Sequence, residues 1–91
     1  MTKEQSYVPI LDDYPNPFSS YDIGMCAGLV SLGYQLLHID RTKGDKALFF
    51  FENSDEIVES AQQYWRGELQ VDALGYFNAL KNIKNQLYSH R

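Results

Sequence analysis

Across residues 34–53 the chain alternates apolar and polar positions, then fills with apolar ones: YQLLHIDR, a polar turn, and KALFFFEN. In an extended strand Leu37 and Ile39 fall on one side and Leu36, His38 and Asp40 on the other, so one face is apolar and the other turns polar toward the tip. Thr42, Lys43, Gly44 and Asp45 supply a turn in which Gly44 is free to take a positive φ. The second strand, residues 46–52, sends Ala47, Phe49 and Phe51 one way and Leu48, Phe50 and Glu52 the other. Two strands alone are marginal in water, and exposed Leu48 and Phe50 would be adhesive. The ribbon is therefore covered on both sides, or one side is an interface.

Three helices flank this hairpin. Ile23, Met25, Cys26, Ala27, Leu29, Val30 and Leu32 make the first apolar nearly all round, which predicts burial on more than one side. Ser19 or Ser20 reads as its start, a serine with Asp22 following, and Gly33 as its left-handed stop. Gly24 and Gly28 stand four apart on one face, which predicts close packing on the hairpin. The second helix opens at Asn53-Ser54-Asp55-Glu56, where a cap and two acids satisfy amides and oppose the helix dipole. Its predicted buried stripe is Ile57, Val58, Ala61, Tyr64 and Trp65, and Gly67 ends it. The third helix is capped by Asp72, with Ala73, Tyr76, Leu80, Ile83 and Leu87 recurring at steps of three and four and Leu74 and Phe77 widening the stripe. That run covers about two heptads, so it serves either core packing within the domain or a dimer seam.

The first 18 residues form an arm. Pro9, Pro15 and Pro17 remove backbone donors and bias their neighbours toward extended geometry, which argues against a stable helix. Tyr7, Val8, Ile10, Leu11, Tyr14 and Phe18 are too apolar for a solvated tail. They tie the arm across its own domain, or reach another chain as extended peptides do. The predicted fold is α+β, a β-hairpin packed against three helices in the order α-β-β-α-α, with an extended arm over residues 1–18 and one small domain over residues 19–91.

Composition narrows the functions. A chain of 91 residues holds one modest core, and dimerisation is a natural remedy for its small size. The net charge of -4 repels polyanions, so nucleic-acid binding needs a local basic face. Arg41, Lys43 and Lys46 at the hairpin tip and Lys81 and Lys84 on the third helix are the candidate phosphate contacts. Phe49, Phe50 and Phe51 lack the glycines and basic flanks of an RNA-stacking strand. Cys26 is alone, which excludes an intrachain disulfide and a multi-cysteine zinc site. His38 and His90 sit in no ligand or nucleophile motif, so no catalytic residue, metal or cofactor is expected. No stretch approaches the ~20 apolar residues of a membrane span, and a cytoplasmic protein without membrane contact is expected.

The strand LLHIDR, the strand KALFFFEN, the acid-capped SDEIVESAQQYWRGE and the closing VDALGYFNALKNIKNQLYS together resemble a family of small uncharacterised domains found in bacterial and phage proteins. The resemblance covers residues 20–89, and its most telling pieces are Tyr64-Trp65 before Gly67 and Val71-Asp72 leading to Tyr76-Phe77-Asn78. It implies fold-defining positions and carries no activity with it. The expected function is a non-enzymatic protein-interaction or assembly module, a homodimer or a binder of another protein. Its candidate interface is Tyr7, Tyr14, Leu48, Phe50, Tyr76, Leu80, Ile83 and Leu87. The alternative is a nucleic-acid-associated regulator using the basic residues of the hairpin tip or the third helix.

Overall fold

Phe49 and Phe51 are almost wholly withdrawn from solvent, 1% and 0% exposed, because their strand is the middle one of a sheet. The computed structural model describes residues 9–43 and 46–89. In it β1 (Phe18–Ser20), β2 (Leu36–Lys43) and β3 (Lys46–Phe51) form an antiparallel sheet in the order β1-β3-β2. The helices are α1 (Ile23–Ser31), α2 (Asp55–Trp65) and α3 (Ala73–Tyr88), so the predicted order α-β-β-α-α holds after a short first strand.

That first strand lies where the sequence predicts a helix start. Phe18 pairs with Phe51 and Ser20 with Phe49, so Ser19 and Ser20 cover backbone groups that β3 would otherwise leave open on that edge. The Phe18 ring meets Phe51 edge-on at 6.5 Å. With the serines taken by the sheet, the cap of α1 passes to Asp22, whose Oδ1 accepts the Met25 N–H at 2.9 Å. Ser20 steadies the corner by accepting the Asp22 N–H at 3.0 Å. Upstream, residues Pro9–Asp13 coil into a 3-10 turn, which a proline at the first position tolerates. The arm is therefore not extended throughout.

A bulge changes which leucine of β2 faces the core. Leu36 pairs with Phe51, but His38 pairs with Phe50, so Leu37 is an extra residue. Simple alternation puts Leu37 with Ile39; the bulge instead sends Leu36 inward beside Ile39, where both pack on the core.

Helix stops follow the local sequence. Gly33 and Gly67 take φ of 107° and 76°, the left-handed region where a side chain is strained. Each makes a paired C-cap: Tyr34 N–H to Leu29 O at 3.1 Å with Gly33 N–H to Val30 O at 3.0 Å, and Glu68 N–H to Gln63 O at 2.8 Å with Gly67 N–H to Tyr64 O at 3.0 Å. Ser54 caps α2 by accepting the Ile57 N–H at 3.1 Å, and Asp72 caps α3 by accepting the Gly75 N–H at 2.7 Å.

Phe49 and Phe51 share one core with Met25, Leu29, Ile57 and Ile83, so all three helices close on one face of the sheet. α1 packs against both α2 and α3, and its glycines face those helices and the connector between them rather than the hairpin. A Cβ on Gly24 would stand 2.7 Å from Tyr64 Oη, and one on Gly28 would meet Leu69 Cδ2 at 3.2 Å. Some predicted core positions face outward: Val58 and Trp65 on α2, Leu74 and Phe77 on α3, and Leu32 at the end of α1 are exposed. The core takes a narrower arc of each helix than the apolar residues span.

Candidate functional site

The residues predicted as an interface divide into distinct settings. Tyr7 lies outside the described residues. Tyr14 is half-buried, its N–H donating to Leu11 O at 3.0 Å. Leu48 and Phe50 are half-buried on the sheet face opposite Phe49 and Phe51, and Phe50 stacks on His38 with ring centroids 6.0 Å apart. Tyr76, Leu80 and Leu87 pack against this chain's own core, and Ile83 is 1% exposed within it. The three-and-four stripe of α3 therefore lies against α1, with Tyr76 Oη donating to Gly24 O at 3.2 Å. Ile83 has no surface left for a partner.

The neighbouring, solvent-facing side of α3 is the unusual one. Leu74, Phe77, Lys81, Lys84 and Tyr88 follow one another at steps of three and four, which aligns them on one side of a helix. All five are exposed, and the Lys81 Nζ lies 5.4 Å from the centre of the Phe77 ring. Residues 73–91 contain Lys81, Lys84 and Arg91 and no acid, whereas residues 52–68 carry Glu52, Asp55, Glu56, Glu59 and Glu68 against Arg66 alone. The net charge of -4 thus conceals two segments of opposite sign. On α2, Arg66 bonds to Glu68 at 2.9 Å and approaches Glu59 at 3.5 Å, leaving the helix start acidic.

Where α3 ends, beside the start of α1 and the hairpin, there is a cleft of about 590 Å³. Ile23, Ala47, Phe49 and Leu87 give it an apolar floor, and Tyr21, Tyr88, Arg41 and Lys46 stand around it. Lys46 Nζ lies 5.8 Å from the Tyr21 ring centre. Among the described residues that line it, the one acid is Asp22, committed to the α1 cap. Two of the predicted phosphate contacts, Arg41 and Lys46, are thus brought together, while Lys81 and Lys84 stand apart on the outer face of α3. Lys43 pairs with Lys46 across the hairpin through its backbone; its side chain lies outside the described residues. Tyr21 and Tyr88 escaped the sequence reading. Tyr88 carried a signal, since it continues the spacing of Lys81 and Lys84.

Cys26 is fully buried, and burial, reinforced by the Asp22 charge and partly offset by a hydrogen bond from Ser20, pushes its thiol up to about 12. Tyr64 is also raised, first by desolvation and then by Asp22. Among the described residues no three His, Cys, Asp or Glu side chains are placed to hold a metal ion. No helix among them is long and apolar enough to cross a membrane.

These features define a small α+β domain, three helices on one face of a three-stranded sheet, with charge segregated along its exterior. The chain belongs to the family described as a domain of unknown function (DUF5659), whose profile matches residues 16–89. The match takes in Phe18 and the rest of β1 as well as the three helices. No curated protein and no solved structure matches the chain.

Proposed function

We propose that this domain is a non-enzymatic assembly module that associates with a second copy of itself through the outer faces of α2 and α3. One observation carries the reading: α3 presents exposed Leu74 and Phe77 beside Lys81 and Lys84, while α2 presents exposed Val58 and Trp65 beside Asp55, Glu56 and Glu59. Large apolar side chains ringed by charge mark docking surfaces. Opposite signs on two helices of one chain suit a twofold pairing in which α3 of each copy meets α2 of the other. A role without chemistry is supported by the burial of Cys26.

Light scattering across a concentration series tests the reading. A monomer–dimer transition that weakens between about 50 mM and 500 mM salt supports it, because rim charges are screened over that range. Phe77→Glu should leave the fold intact and abolish the dimer. A chain that stays monomeric from micromolar to millimolar concentration refutes self-association.

A further inference from the structure

The cleft at the end of α3 adjoins that outer face at Tyr88, but its floor and its cations come from the hairpin and the start of α1, and it supports a separate inference. We propose that it binds a nucleotide unit, a nucleobase joined to a phosphate. It is an open cleft of about 590 Å³, within the size range of small-molecule sites. The floor of Ile23, Ala47 and Leu87, with Phe49 buried beneath it, is apolar, which suits a flat heteroaromatic ring and offers nothing to a free inorganic ion. Tyr21 and Tyr88 present exposed rings from different elements, the kind of surface on which nucleobases stack whatever their sequence. Arg41 and Lys46 add two cations to the same rim, and Arg in particular offers paired donors to phosphate oxygens. Asp22 repels phosphate from the α1 side. The phosphate therefore sits toward the hairpin cations, with the base over the floor.

The same chemistry is offered by a free mononucleotide and by one unit of a single strand. Titration of the full chain with AMP, adenosine and inorganic phosphate, followed by ligand-observed NMR, tests the site itself. AMP should saturate it and bind about tenfold more tightly than either fragment, since each lacks half of the contacts. Arg41→Gln and Lys46→Gln should each weaken AMP about tenfold, Tyr88→Leu should weaken adenosine as well, and Lys81→Gln should change neither. Unfolding midpoints equal to that of the parent chain establish that these variants fold.

Anisotropy with a fluorescein-labelled 12-mer single strand, its duplex and polyglutamate then separates the sources. A single strand bound more tightly than AMP and than the duplex identifies the strand; AMP bound as tightly as the strand identifies the free nucleotide. No saturation of AMP by about 10 mM, fragments that bind equally well, or indifference to Arg41→Gln and Lys46→Gln overturns the proposal. Polyglutamate bound as tightly as the strand overturns it in favour of an acidic protein partner.

Discussion

Replacing Gly24 by alanine sets two effects of known size against each other. In an exposed helix interior the change would stabilise by roughly 0.8–1 kcal/mol, because glycine loses more backbone freedom than alanine. Here the new Cβ would sit 2.7 Å from Tyr64 Oη, 3.3 Å from Asp22 Oδ1 and 3.4 Å from Tyr76 Oη. The Tyr64 ring is half-buried where α1 and α2 meet, and Tyr76 Oη is bonded to the carbonyl of Gly24 itself. Overpacking of this kind costs about 1–3 kcal/mol, and a displaced Tyr76 would lose a further ~1 kcal/mol of hydrogen bonding. Together these outweigh the propensity gain, for a net destabilisation of about 1–3 kcal/mol. A domain of this size has roughly 5–14 kcal/mol in total, so the effect is easily measured. Urea unfolding followed by far-UV circular dichroism should show a lower midpoint at unchanged slope. Gly28→Ala is the internal control: its Cβ meets only Leu69 Cδ2 at 3.2 Å, a flexible terminus that can turn aside, so the midpoint should hold or rise. Adding Tyr64→Phe to Gly24→Ala removes the nearest oxygen and should restore at least half of the loss. A Gly24→Ala chain as stable as its parent would refute the reasoning, since it would mean that α1, α2 and α3 do not converge on this point.

Other substitutions test different links. Phe51→Ala should cost about 3–5 kcal/mol in the same urea assay, because the ring is fully buried at the crossing of sheet and helices. Asp22→Ala should cost about 1 kcal/mol through loss of the α1 cap, whereas Ser19→Ala, in the strand and exposed, should be nearly silent. Cys26 should resist Ellman's reagent in the folded chain and react at full rate in urea. Its thiol is raised in the folded state from 9.0 to about 12, so the unfolded chain releases the proton first. Stability from this group is therefore complete below pH 9 and is lost as pH rises toward 12. Cys26→Ala should flatten that part of the pH–stability curve.

The most legible features were those decided within four or five residues. Ser54 and Asp72 as caps, and Gly33 and Gly67 as stops, each need only a short polar side chain or a missing Cβ next to a helix end. The hairpin was legible because period-two alternation and a glycine-bearing turn are local as well. Leu36 was assigned to the wrong face because a bulge depends on how β2 pairs with β3, which no single strand records. Ser19 and Ser20 were assigned to a helix start for a similar reason: the open edge of β3, some 30 residues away, claimed them. Of the candidate site, Arg41 and Lys46 could be named as cations near a turn. Their meeting with Tyr21 and Tyr88 could not, since the tyrosines come from opposite ends of the domain.

By itself, then, the chain determined its punctuation and its periodicities: where helices begin and stop, which residues are strand-like, and that the fold is α+β. Tertiary structure decided which arc of each helix is buried, which leucine of a bulged strand faces inward, and that a third strand completes the sheet. Local preferences act through backbone torsions and neighbouring hydrogen bonds, within one turn of the chain. Burial is a contest for a finite core, and its outcome depends on every segment that packs there.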